Sequence, residues 1–128
     1  MRLYFGSTAL ELESFIEEGS LQIPELYAAT PKFAQSHPES DEEELEFTLS
    51  LLAAEDALEF SQEDNSQAVV IACEIEDGDI ATLEDLSVTL TGDVKWSQVE
   101  AIFTVGQELD DLTWYAPQEV SNHLASWI

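Results

Sequence analysis

The chain has almost no positive charge. Lys and Arg together number 3 against 28 Asp and Glu, a formal net charge of -25 over 128 residues. That excludes sequence-independent binding to nucleic acid, because counterion release needs a basic face. It excludes anionic membrane surfaces on the same ground. Cysteine is nearly absent too. Cys73 is the only one, so no internal disulfide can form. It lies in the apolar β-type run Ala68-Val-Val-Ile-Ala-Cys73 and reads as a small core residue. No cationic neighbour is near it to activate a thiolate. No apolar run approaches the length of a membrane span and no signal peptide precedes the chain, so a soluble cytoplasmic protein is the expectation.

Recognisable catalytic motifs are missing as well. There is no Gly-x-Ser-x-Gly elbow, phosphate loop or dinucleotide fingerprint. His37 and His123 are the only histidines, and neither has a partner at zinc-ligand spacing. Asp77, Asp79, Glu84 and Asp85 gather around a turn but lack the alternating loop of an EF-hand, so a solvated turn is expected there. No metal site and no cofactor is expected. Gly6, after the first strand, reads as a turn glycine.

What the chain does have is enough apolar material for a core: 45% hydrophobic residues and 9% aromatics. A disordered acidic tail would be poorer in both. The length argues for one domain. A strand is expected at about Arg2 to Phe5. Thr8 with Glu11 forms a capping-box signature for a helix to about Glu18, with Leu12, Phe15 and Ile16 inward and Gly19 as its stop. A short strand at 26–29 follows, and Thr30-Pro31 opens a short helix. Asp41 with Glu44 opens the longest helix, about 41–60. Glu42, Glu43 and Glu44 crowd its first turn, where the helix dipole favours negative charge. Phe47, Leu51, Ala54 and Leu58 make one apolar stripe; Leu45, Leu49, Leu52 and Phe60 make another. Two stripes predict a central helix buried on two sides, or one stripe left for a homodimer or partner contact.

The second half is β-rich. Strands are expected at Gln67 to Ile75, Leu86 to Leu90, Val99 to Val105 and Leu112 to Ala116, followed by a proline-started helix through Val120, Leu124 and Trp127. The fold class is therefore α+β: a single domain, with a mixed or mainly antiparallel sheet packed against two or three helices.

Two resemblances add to this. Leu3-Tyr4-Phe5-Gly6-Ser7-Thr8, a helix ending Glu17-Glu18-Gly19-Ser20-Leu21, and Tyr27-Ala28-Ala29-Thr30-Pro31-Lys32-Phe33-Ala34 resemble the opening of an ADP-ribosyltransferase-type fold. The resemblance implies an NAD-binding domain, active or degenerate, with Arg2, Tyr27 and Thr30 as NAD contacts. The sequence departs from that family where its NAD-gripping histidine falls on Phe5. Gln118 and Glu119 are adjacent, where the family has Gln-x-Glu. Separately, Met1-Arg2-Leu3-Tyr4, Tyr27-Ala28-Ala29-Thr30-Pro31, Asp41-Glu42-Glu43-Glu44-Leu45-Glu46, Val69-Val70-Ile71-Ala72 and the ending Leu112-Thr113-Trp114-Tyr115-Ala116-Pro117-Gln118-Glu119 resemble a family of small acidic actinobacterial proteins of unknown function. That likeness implies a bacterial, cytoplasmic origin and carries no activity.

The acidity has three readings. It can serve solubility alone, as in a halophile; it can meet a partner with a basic surface; or it can mimic DNA and occupy a nucleic-acid-binding protein. Residues 39–64 hold eleven acids and no base. The functional expectation is a non-enzymatic binding or regulatory protein that meets a basic protein partner. Its site would comprise Glu42, Glu43, Glu44 and Glu46 on the long helix, with Trp114, Tyr115, Gln118 and Glu119 near the end. Of Trp114 and Tyr115, one ring should pack in the core and the other at the rim.

Overall fold

The computed structural model describes residues 1–128. Its strands are β1 (Arg2–Thr8), β2 (Ser20–Leu21), β3 (Leu26–Ala28), β4 (Ala68–Glu74), β5 (Ile80–Leu83), β6 (Ser87–Leu90), β7 (Val94–Lys95), β8 (Val99–Val105) and β9 (Leu112–Tyr115). Its helices are α1 (Ala9–Glu18), α2 (Pro31–Gln35), α3 (Glu42–Asp64) and α4 (Val120–Trp127). Seven strands form one sheet in the order β5-β6-β3-β1-β4-β8-β9, and every pair in it is antiparallel. β2 and β7 make a separate small ribbon. The chain is thus an α+β domain, and its sheet is wholly antiparallel rather than mixed.

Strand alternation divides the core in two. Leu3 and Phe5 of β1, with Val69, Ile71 and Cys73 of β4, face one side. There they meet Leu12 and Phe15 of α1, Val94 of β7 and Val120 of α4. Tyr4 of β1, with Ala68, Val70 and Ala72 of β4 and Ala101 of β8, face the other side, where α3 lies. The sequence explains both covers. Thr8 caps α1 by accepting from the Glu11 amide, and Gly19 ends it at φ 80°, a left-handed conformation that glycine adopts without strain. Asp41 caps α3 by accepting from the Glu44 amide.

Three expectations need correction. The first strand does not stop at Phe5 but runs through Thr8, so Gly6 is a strand residue and not a turn glycine. A Cβ there would collide with the Ala53 carbonyl oxygen of α3 and sit 2.7 Å from the Ala57 nitrogen. Gly6 therefore sets the close approach of helix to sheet. Second, α3 is not buried on two sides. Its buried residues are Leu45, Leu49, Ser50, Ala53, Ala54 and Ala57, a single face built largely of small side chains. Phe47 is 51% exposed and Phe60 45% exposed. Third, β2, β5 and β7, each two to four residues long, lie outside the expected strands. β2 and β7 have two residues each, too few for any alternation to register.

Candidate functional site

The sheet is wider than the helix that covers it. α3 lies over β1 and β4, and the β8–β9 side of the same face is left largely open. Phe103 of β8 pairs across with Trp114 of β9, and Val105 with Leu112. Alternation puts Phe103, Val105, Leu112 and Trp114 on the α3 side. Trp114 is 57% exposed. Between these strands and the flank of α3 runs a groove of about 300 Å³, bounded by Glu46, Phe47 and Ser50 on the helix and by Tyr4, Phe103, Asp110 and Leu112 opposite. Its floor is aromatic and aliphatic; its charged rim is acidic only. β9 is the last strand of the sheet, so its outer edge has no strand partner.

The expected partner-binding residues divide between the two sides of the sheet. Glu46 reaches the groove itself. Glu42, Glu43 and Glu44 are exposed on the turn of α3 that precedes it. Trp114 lies on the same side as the groove. Tyr115 points to the opposite side, where its ring packs 4.9 Å from His123 and 5.0 Å from Trp127, centroid to centroid. Of the two neighbouring rings, then, Tyr115 is the packed one and Trp114 the rim one. Glu119 accepts from the Ala116 amide at 2.8 Å and so closes the 3-10 turn Pro117–Glu119. Gln118 is exposed on that turn. Sequence reasoning missed Phe103, Leu112 and Asp110. The alternation of Val99 to Val105 held the signal for Phe103, but only the β8–β9 register puts it beside Trp114.

Electrostatics around the groove follow from burial and crowding. Desolvation raises the Glu46 carboxyl above the ordinary glutamate range; Arg2 opposes this, and Glu42, Glu43 and Glu74 reinforce it. The Tyr4 phenol is likewise raised, first by burial. Arg2 donates to the Tyr4 hydroxyl at 3.0 Å and pairs with Glu100 at 3.2 Å.

The residues implied as NAD contacts do not converge on one opening. Arg2 is held by Tyr4 and Glu100. Thr30 is buried; its hydroxyl donates to the Asp85 carbonyl and accepts from the Phe33 amide as the cap of α2. Tyr27 donates to Asp56 Oδ2 at 2.7 Å on the far flank of α3 from the groove. Phe5, at the position of the implied histidine, is a core side chain. No group of three His, Cys, Asp or Glu side chains is placed to hold a metal ion. Cys73 is buried, and desolvation pushes its thiol up to about 12. No helix is long and apolar enough to cross a membrane.

Fold and groove together define a class: a small acidic α+β domain with a helix-flanked aromatic groove on an antiparallel sheet. The chain belongs to a family of unknown function, DUF6912, whose profile matches residues 1–109. The matched region ends before β9, so the Trp114–Glu119 segment lies outside it. Comparison with curated proteins and with solved structures gave no match.

Proposed function

We propose that this protein is a non-enzymatic binding module whose groove between α3 and β8–β9 receives a basic segment of another protein. The observation that carries the reading is a groove lined by the exposed Phe47 ring and by Phe103, whose β9 partner is the exposed Trp114, with charged lining that is acidic only. Exposed aromatic rings supply binding energy when a partner desolvates them. Carboxylates around them select a basic partner and speed its encounter. An amphipathic segment carrying Lys or Arg beside aliphatic side chains has the matching chemistry.

The test compares tagged wild-type protein with two variants: Trp114→Ala, and Glu42, Glu43, Glu44 and Glu46 all changed to Gln. Each is exposed to lysate at low and moderate salt, with and without duplex DNA. A partner held by the wild type and lost from both variants is the expected result. A partner held equally by all three would reject the groove. Displacement by DNA would shift the reading toward mimicry of nucleic acid.

A further inference from the structure

A second concavity lies on the other flank of α3 and is independent of the groove. β1 pairs with β4 along its whole length, but with β3 only at Leu3 and Tyr4. Beyond Tyr4 the two strands part. The notch so formed is a cavity of about 330 Å³. Ile23 and Pro24 give it accessible apolar wall, while the Phe5 and Leu26 side chains are sealed in the core beneath, and Phe60 of α3 lines it with a ring 45% exposed. Its ionisable carboxyl groups are Glu11, Glu25 and Asp56, and no Lys, Arg or His lines it.

Two groups in the notch have directions fixed by the fold. The Met1 carbonyl bonds Ile75 and the Ala9 amide bonds Gln67, so odd-numbered residues of β1 address the β4 side. Antiparallel alternation then turns the N–H and C=O of Gly6 toward β3, where the pairing has already ended. Gly6 brings no side chain to cover them. Asp56 is oriented by Tyr27, whose hydroxyl donates to Oδ2. Burial and the Asp56 carboxylate keep that phenol protonated, so it remains a donor.

We propose that this notch binds a small planar organic cation, an amidinium or guanidinium on an apolar body. The cation would donate to Asp56 and to the Gly6 carbonyl and lay its apolar part against Ile23 and Pro24. Phe60 at the mouth would add a cation–π contact. The three carboxylates repel an anion, and a neutral amide of the same shape can donate to Asp56 but lacks the charge assistance an amidinium brings.

The probe pair is benzamidine and its uncharged isostere benzamide, titrated at fixed ionic strength and followed by amide NMR. Benzamidine should saturate one site with Kd of about 1 mM or tighter and shift the amides of Gly6, Tyr27 and Asp56. Asp56→Asn keeps an acceptor for Tyr27 and should weaken binding about tenfold, roughly the loss of 1.4 kcal/mol. Phe60→Ala alters an exposed ring, leaves the core intact and should weaken binding as well. Equal binding of benzamide, absence of saturation, or affinity unchanged in both variants would overturn the proposal. Shifts scattered over the acidic surface would overturn it too, as counterion condensation. N-acetylarginine methylamide distinguishes the source of the cation: tighter binding than benzamidine assigns an arginine side chain, weaker binding a free small molecule. None of these substitutions touches the α3–β9 groove, so this site and the basic-partner reading fail separately.

Discussion

At the scale of single residues, Gly6 is where the fold has least room. Its missing Cβ lets the backbone of α3 rest on β1, with Ala53 and Ala57 as the matching small residues. Gly6→Ala should therefore destabilise the protein by about 2–3 kcal/mol, the upper range for overpacking, seen as a lower urea midpoint at unchanged slope. Asp64 ties two helix ends together. Its carboxylate accepts from the Thr8 hydroxyl at the start of α1 and from the Ser66 amide and hydroxyl after α3. Desolvation opposes ionisation there, but those hydrogen bonds prevail and hold the carboxyl below its ordinary 3.8. A lowered folded value contributes stability above pH 3.8 that is lost as pH falls through the folded value. Asp64→Ala should cost about 1–2 kcal/mol at neutral pH and progressively less in acid, by urea titration across that range. Glu46 has the opposite sign. Its raised carboxyl favours the protonated form, so its contribution is present below the ordinary 4.5 and lost as pH rises through the folded value. Glu46→Gln should accordingly be neutral or stabilising at pH 7.

At the scale of elements, α3 governs both concavities, because its two flanks line them and its centre does not. The small-residue face fixes its height over the sheet. Ala57→Leu should thus destabilise by about 1–3 kcal/mol, since the added carbons meet β1 backbone with no cavity to enter. Phe47→Ser, on the exposed flank, should stay within about 0.5 kcal/mol. Thermal unfolding of the two variants side by side checks the contrast. The first turn was legible from sequence: Asp41 caps it, and Glu42, Glu43 and Glu44 suit the dipole. Which stripe faces the sheet was not legible. Large side chains dominate a hydrophobic pattern, yet here alanines make the contact and Phe47 and Phe60 stay outside. A close helix–sheet approach favours small residues, and that preference appears only once Gly6 is placed opposite them.

At the scale of the whole molecule, charge is the controlling quantity. Three ion pairs engage the N-terminus, Arg2 and Lys32, with Glu74, Glu100 and Asp85 respectively. Little else offsets a net charge of -25. Self-repulsion should dominate over ion pairing, and salt screens both. The melting temperature should therefore rise with added sodium chloride, where a protein held by salt bridges would show a fall. Each 1 kcal/mol regained would appear as a gain of roughly 4 °C for a chain of this size. Cys73 offers a second global reporter. Buried and held protonated, it should react with a thiol reagent only as the chain unfolds, so its labelling rate in increasing urea follows global opening.

The sequence by itself determined the α+β class, the caps of α1, α2 and α3, the central apolar strand and the sign of the molecule's own net charge. Those are local or compositional properties: a cap spans four residues, and net charge is a sum. Tertiary structure alone decided where the cavities lie. The groove depends on a sheet wider than its covering helix and on the register that sets Phe103 beside Trp114. The notch depends on β1 and β3 parting after one shared pair of tyrosines, Tyr4 and Tyr27. Such openings form where pairing ends, and the end of a pairing is a relation between distant segments that neither segment carries alone.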